Sequence, residues 1–174
     1  MCCKLIGSIL VVAGGVILGC YIAINKKKRL YELIQLERIV AALEAEIKYH
    51  HALIYEACSN VSDRFGFPYC DWLDSISSKL IDKEGDRSFE SIWEDAAVKL
   101  YNISHLKKED LNELLEVGRA LGYLDISTRE KGLELEKERI HNLIETENME
   151  LAGRMKLSIV LCSLGGILLV ILFI

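Results

Sequence analysis

The sequence LSIVLCSLGGILLVILFI, residues 157–174, contains 18 residues with no charged side chain and no proline. At about 1.5 Å per residue, a helix of this length would measure about 27 Å, close to the roughly 30 Å hydrocarbon core of a bilayer. A second uncharged run, LIGSILVVAGGVILGCYIAI, occupies residues 5–24. The pattern predicts an N-terminal transmembrane helix at 1–24, a polar domain at 25–156 and a C-terminal transmembrane helix at 157–174.

The charged residues are confined to the region between the two apolar runs. Of the 21 basic and 26 acidic side chains, all except Lys4 lie within residues 25–156, which therefore carry a net charge of −6. A region of this length can form one domain with its own core. Its acidic balance argues against nucleic acid as a partner.

Basic residues flank both apolar runs on the side of the middle region. The cluster KKKR at 26–29 follows the first run, and Arg154 and Lys156 precede the second. By the positive-inside rule, the middle domain is predicted to be cytoplasmic and both termini to lie on the far side of the membrane. We therefore expect a two-pass protein of the cell membrane, with the lipid bilayer as one of its partners.

Cys20 leaves an alternative open. Residues 17–20 (ILGC) imitate a lipoprotein cleavage site, which would attach lipid to Cys20. The apolar run continues past this point to Ile24, and Lys4 is the only basic side chain before it. An uncleaved span is the preferred interpretation, and a lipid-anchored helical adaptor of another envelope complex is the alternative. The six cysteines form no CxxC pair, which favours free thiols in a reducing compartment.

Apolar residues recur at helical spacing at the start of the middle region. Residues 25–58 contain neither proline nor glycine, and steps of 3, 4, 3, 4 and 7 separate their apolar residues. This spacing predicts a single helix that continues to Cys58. The predicted stripe consists of Leu33, Leu36, Val40, Leu43, Ile47 and Ile54.

Turn and capping signals divide the rest of the middle region. The sequence GFP at 66–68 predicts a turn, and apolar spacing predicts helices at 71–81 and 89–101. The loop 83–87 lies between them. Ser88 and Ser104 are the predicted N-caps of the third and fourth helices, and Gly122 is the predicted end of the fourth.

The last helix is predicted to begin within 125–128 and to continue into the second apolar run. Ser127 and Glu130 have the spacing of a capping box. Alternating β-branched runs are absent outside the apolar segments, so the predicted fold is all-α. We expect a cytoplasmic antiparallel bundle of about five to six helices between the two transmembrane helices. The predicted stripe of the last helix is Leu133, Ile140, Ile144, Leu151 and Met155.

No motif in the sequence indicates an enzyme. Glu138 and His141 have the spacing of one half of a di-iron site, but the nearest second pair, Glu46 and His50, is four residues apart instead of three. Phosphate-binding and nucleophile-elbow motifs are also absent. The sequence therefore predicts no catalytic residue, no cofactor and no metal. If a basic partner docks, the acidic faces of the fourth and last helices are the expected surface.

Three segments resemble the stage III sporulation protein AB family. They are LEAEIKYHHALIYEA at 43–57, SIWEDA at 91–96 and LEVGRALGYLD at 115–125, in the family's order. The family often has glycine and Thr-Pro where this chain has residues 50–53. Within these segments, the resemblance marks six candidate partner-contact or structural residues: Glu44, Glu46, Trp93, Gly118, Gly122 and Asp125.

The resemblance implies a scaffold in the sporulation export channel between mother cell and forespore. The family is similar to the F-type platform proteins of secretion systems, whose helical bundles lie over a hexameric ATPase. It therefore implies a homo-oligomeric, non-enzymatic platform in the mother-cell membrane facing the forespore. Its implied partners are a cytoplasmic secretion-type ATPase and the other subunits of the channel.

Overall fold

The computed structural model describes the backbone of residues 2–82, 87–123 and 125–173, and side chains for residues 24, 26–82, 87–123, 125–151 and 153. These residues form six α-helices and no strand, which confirms the predicted all-α fold. The helices are α1 (Cys2–His50), α2 (Ile54–Ser62), α3 (Tyr69–Ile81), α4 (Phe89–Ile103), α5 (Lys108–Gly122) and α6 (Ile126–Phe173).

The two predicted membrane spans fall on the first part of α1 and the last part of α6. Almost all of their side chains, and those of Cys20, Arg154 and Lys156, lie outside the described residues, as does most of the predicted loop at 83–87. Within the part of the chain that the structure describes, no helix has a stretch both long enough and apolar enough to cross a membrane.

The chain divides into two compact units. One consists of Met1–Leu30 with Glu145–Ile174, and the other of Tyr31–Ile144. In the first unit, α1 and α6 are joined by an ion pair between Arg29 and Glu147 and by Lys26 Nζ, which lies 2.6 Å from Glu150 Oε2. Since the partner numbers fall along α6 as they rise along α1, the two helices are antiparallel here.

The second unit is a helical bundle whose consecutive helices pack on one another, α2 on α3, α3 on α4 and α4 on α5. Within this unit α1 also runs antiparallel to α6, because Glu37 contacts His141 and Glu44 contacts Lys137. The predicted apolar stripes of both helices are buried, apart from the half-buried Ile54 and the undescribed Met155. The largest fully buried side chains are Trp93, Leu33, Leu36, Ile39, Leu43, Leu73, Ile76, Leu100, Leu114, Leu121, Leu133 and Ile140.

The prediction of one helix through Cys58 was wrong, because the chain breaks between α1 and α2. His51 has a left-handed backbone (φ 51°), and the Ala52 N–H donates to the carbonyl of Glu46 at 3.2 Å. Leu53 is extended, and its N–H donates to the Glu56 carboxylate at 3.1 Å. A left-handed residue directly after the last turn is a common helix ending, although glycine is its usual occupant. Because His51 stands where glycine is usual, the sequence did not predict the break.

Two of the predicted helix caps were also wrong. Ser104 ends α4 instead of starting α5, since its N–H and hydroxyl both donate to the Tyr101 carbonyl. The N-cap residue of α5 is Lys107, whose N–H donates to the carboxylate of Asp110 in the first turn at 2.7 Å. By contrast, Ser88 caps α4 as predicted, because its Oγ accepts the Ser91 N–H at 3.3 Å.

The start of α6 differs in the same way. Asp125, and not Ser127, accepts the helix N–H groups: its Oδ2 lies 2.9 Å from the Thr128 nitrogen, and the Ser127 hydroxyl donates to the same oxygen. Glu130, the predicted capping-box partner, instead lies 3.9 Å from Lys48 Nζ. A carboxylate caps a helix about as well as a hydroxyl, and its negative charge also faces the positive end of the helix dipole.

Candidate functional site

Trp93 is the centre of an aromatic cluster between α3, α4 and α5. Its side chain is 1% exposed, and its Nε1–H donates to the Leu114 carbonyl of α5 at 2.8 Å. The Trp72 ring meets it edge-on with centroids 5.2 Å apart, and the Phe89 ring lies 5.8 Å away. Trp93 is therefore an internal residue, which gives it a structural place in the bundle.

Gly118 and Gly122 lie one turn apart on α5 but have different surroundings. A Cβ atom added at Gly118 would lie 2.2 Å from Cδ1 of Trp93, so only glycine lets the indole ring pack against this turn. A Cβ atom at Gly122 would meet its nearest neighbours at 3.6 Å, an ordinary contact. α5 ends at Gly122 as predicted, and the geometric need for glycine is at Gly118.

Glu46 joins α1 to α2. Its carboxylate accepts a hydrogen bond from Asn60 Nδ2 at 3.2 Å and forms an ion pair with Arg64. Burial by itself would raise the pKa of Glu46, but the bonds from Asn60 and Arg64 and the charge of Arg64 outweigh it and hold the pKa below its usual value. Glu46 is therefore an ionised group that connects α1 to α2 and the residues after it, across the break at His51.

Glu44 joins α1 to α6 from the other side of the helix. Its Oε2 atom lies 2.6 Å from Lys137 Nζ, and both side chains are partly exposed. Two turns closer to the N-terminus of α1, Glu37 Oε1 lies 2.9 Å from Nδ1 of His141. His141, the histidine of the predicted ExxH pair, therefore contacts α1.

Asp125 holds the first turn of α6. Its Oδ2 atom accepts hydrogen bonds from Ser127 Oγ at 2.6 Å, Thr128 Oγ1 at 2.7 Å and the Thr128 N–H. These bonds, from Ser127 first and then Thr128, lower the pKa of Asp125 to about 2. The six predicted residues are thus distributed over several helix junctions of the bundle.

Two buried carboxylates of α6 were missed by the sequence reasoning. Glu136 and Glu147 are 6% and 5% exposed. Glu147 is paired with the buried Arg29, whereas Glu136 faces Arg139 of its own helix and the carboxyl group of Glu113 on α5. The sequence does contain a signal for them. The apolar stripe of α6 has two gaps of seven residues, from Leu133 to Ile140 and from Ile144 to Leu151. Glu136 lies in the first gap and Glu147 in the second.

The described side chains offer little to a metal or to covalent chemistry. No group of three or more histidine, cysteine or carboxylate side chains among them is arranged to hold a metal ion. Cys58 is buried, and burial raises the pKa of its thiol to about 12, which suppresses the reactive thiolate. The pKa of Cys70 is raised too, by its hydrogen bond with Asp71. The geometry of these polar groups is that of helix-to-helix contacts.

This arrangement defines an all-α bundle whose polar residues join helices, and three comparisons place it among known proteins. The family model for stage III sporulation protein AB matches residues 4–174. Stage III sporulation protein AB of Bacillus subtilis (strain 168) is 26% identical over 169 residues, covering 97% of this chain and 98% of the relative. A solved structure of stage III sporulation protein AB superposes with a TM-score of 0.66, covering 72% of this chain and 97% of its own, at 22% identity.

This chain belongs to the stage III sporulation protein AB family, as its three sequence segments predicted. The match extends over nearly the full length of both chains, so it includes the two terminal regions as well as the bundle. The structural likeness shows that the helical fold is shared. Family membership assigns the protein a role in the sporulation apparatus.

Proposed function

We propose that this protein is a two-pass membrane scaffold of the sporulation apparatus, with its helical bundle in the mother-cell cytoplasm. The single observation that carries the proposal is the family match over residues 4–174, which includes both uncharged terminal runs. Basic clusters border each run on the side of the bundle, which favours a cytoplasmic bundle. In this role the protein links membrane subunits of the export channel to a cytoplasmic ATPase and has no reaction of its own.

The use of polar residues in the bundle supports a structural role. Glu44, Glu46 and Asp125 direct their carboxylates to groups of this same chain, and Trp93 and Gly118 form an interlocked contact between α4 and α5. Such contacts fix the relative positions of helices, which a scaffold must hold while a partner exerts force on it.

The exposed acidic residues of α6 supply the proposed docking surface for the ATPase. Of the acidic residues predicted for partner contact, Glu136 is buried, Glu116 is paired with Arg119 and Glu150 is paired with Lys26. Glu134 and Glu138 remain exposed on one side of α6, four residues apart. We define these two residues as the acidic patch and propose that it binds a basic surface of the ATPase.

Co-purification tests this proposal. Tagged full-length protein is extracted in detergent from the membranes of sporulating cells, and the recovered proteins are identified by mass spectrometry. We expect an ATPase and other channel subunits, and we expect the double variant Glu134→Lys/Glu138→Lys to lose the ATPase while it keeps the membrane subunits. The matched control is Asp74→Lys/Glu94→Lys, which reverses two exposed charges on α3 and α4. Recovery of neither an ATPase nor a channel subunit with the wild type would contradict the scaffold proposal.

Sidedness is tested separately. Protease added to intact protoplasts should leave residues 25–156 uncut, and the same protease should digest them once the membrane is opened. Cleavage of the bundle in intact protoplasts would place it outside the cell and would favour the alternative of a lipid-anchored adaptor on the outer surface.

A further inference from the structure

The α5–α6 junction contains a pair of carboxyl groups that the scaffold role does not require. The Glu136 side chain on α6 is more than nine-tenths buried, and its Oε2 atom receives no hydrogen bond from an N–H or hydroxyl group. Glu113 on α5 has a second buried oxygen of this kind, and its carboxyl group is close enough to act on that of Glu136. Because an ionised carboxylate is only an acceptor, two such oxygens can satisfy each other only when one of the two groups carries a proton.

We propose that Glu136 and Glu113 share one proton and form a pH-sensitive latch between α5 and α6. With the proton bound, the two buried oxygens satisfy each other and the helices are held together. When the proton is lost, two negative charges face each other with one buried oxygen on each group, and the junction loosens. The latch is a regulatory property of the bundle itself and does not depend on the identity of any partner.

The charged groups around Glu136 favour the protonated form. On its own helix, Arg139 Nη1 lies 3.3 Å from Glu136 Oε1, and this cation is half exposed. On α5, Glu116 adds a second negative charge next to that of Glu113, and Glu116 is itself paired with Arg119.

The charged groups between α6 and α1 do not alter this preference of Glu136 for its protonated form. The carboxylates that α1 directs toward α6 in this unit are Glu37 and Glu44, and they contact His141 and Lys137. Burial raises the pKa of Glu136 first, the charge of Arg139 lowers it, and Glu113 and Glu116 raise it again, to about 7.

The direction of the pH effect follows from proton binding. An unfolded glutamate releases its proton near its ordinary pKa of 4.5, whereas Glu136 in the folded protein keeps it until about pH 7. The folded state therefore binds more protons between these values, so its stability rises as the pH falls from about 8 toward about 5. Above about pH 8 the stabilisation is absent.

The test is the thermal unfolding of the full chain in detergent micelles between about pH 5.5 and about pH 8.5. Both tryptophans, Trp72 and Trp93, lie in the bundle, so their fluorescence reports its unfolding. We expect the wild type to lose about 5 °C in Tm across this range. Glu136→Gln, which is neutral at every pH and can donate to Glu113, should remove most of this loss and should be the more stable protein at high pH.

Two further variants make the result specific. Glu113→Gln should flatten the profile as Glu136→Gln does, and the double variant should flatten it no further, because a single shared proton is removed in each case. Glu134→Gln removes an exposed carboxylate two residues away and should keep the wild-type profile. Parallel profiles for the wild type and Glu136→Gln would overturn the latch, as would equal flattening by Glu134→Gln.

Infrared titration keeps the proposal testable if the variants do not fold. The wild type should show the C=O stretch of a protonated carboxyl group that disappears with a midpoint near pH 7. Absence of this band at about pH 6, where ordinary glutamates are ionised, would overturn the proposal.

Discussion

The α1–α2 and α5–α6 junctions each contain one buried glutamate, but the first junction favours its ionised form and the second its protonated form. Glu46 and Glu136 are almost equally buried, at 4% and 6% exposed. Glu46 receives hydrogen bonds from Asn60 and Arg64, which lower its pKa, whereas Glu136 is buried beside Glu113 and Glu116, and its pKa is raised. Burial is therefore not enough to predict the charge of a glutamate, because the neighbours decide which form is stable.

The two junctions should consequently respond to pH in opposite directions. The ion pair at Glu46 is fully formed above the ordinary glutamate pKa and is lost as the pH falls through the lowered value. The carboxyl pair at Glu136 is closed in mildly acidic solution and opens as the pH rises through about 7. Near neutral pH, the bundle has one junction at full strength and one near the midpoint of its titration.

Gly118→Ala is expected to have the largest effect on the bundle, and it provides a pH-independent reference for both junctions. The new Cβ atom would overlap the Trp93 ring, so the ring or the helix must move, which should cost about 3 kcal/mol of unfolding free energy. Because no charge changes, the loss should be equal at about pH 6 and about pH 8.5. Urea unfolding followed by tryptophan fluorescence measures both values.

Gly122→Ala is the control for this substitution. It adds the same atom to the same helix one turn later, where the contacts are ordinary, and should change stability by less than about 0.5 kcal/mol. Equal losses for the two variants would show that a helix-wide effect, and not the contact with Trp93, accounts for the change.

Arg64→Met is expected to have an intermediate effect, and it tests whether Arg64 keeps the buried Glu46 ionised. It removes the cation but keeps an apolar stem, so Glu46 remains buried with Asn60 as its donor. We expect a loss of about 2 kcal/mol at neutral pH, because Arg64 is half exposed and a fully buried pair would lose more. The loss should shrink toward pH 5, where protonation of Glu46 removes the unpaired charge. A loss that is independent of pH would contradict the assigned role of Arg64.

Asp125→Ala is expected to have the smallest effect, because this carboxylate is exposed and holds only the first turn of α6. Its removal should lower Tm slightly at neutral pH. The difference should persist down to about pH 4 and vanish only as the pH falls toward the lowered pKa of about 2. Asp125→Asn keeps the acceptor oxygen and should retain much of the wild-type stability. If Ala and Asn lose equally, the cap is not the reason for the loss.

Most of the helical fold could be predicted from the sequence because its apolar residues follow helical spacing closely. The buried stripe of α1 and the turn at 66–68 were predicted correctly, as was the capping of α4 by Ser88. The break after α1 was not, because His51 adopts the backbone conformation at which glycine is expected. The bonds that Asp110 and Asp125 accept at their helix starts were missed for a different reason: several serines and carboxylates lie near each helix start, and spacing alone does not say which one bonds.

The buried carboxylates could be predicted only in part. The long steps in the α6 stripe indicate positions on the buried face without an apolar residue, and these positions hold Glu136 and Glu147. Spacing cannot say what faces them, since Arg29 and Glu113 come from distant parts of the chain. The opposite environments of Glu46 and Glu136 arise from such long-range contacts, and so the sequence alone did not separate them.

The most direct test is a carbon-13 NMR titration of the Glu46 and Glu136 side-chain carboxyl groups in one sample of the full chain in detergent. We expect a midpoint near pH 7 for Glu136 and below 4.5 for Glu46, and a response of the Glu113 carboxyl carbon in the Glu136 transition. Two midpoints near the ordinary value of 4.5 would contradict this expectation, because the two buried carboxyl groups would then be equivalent.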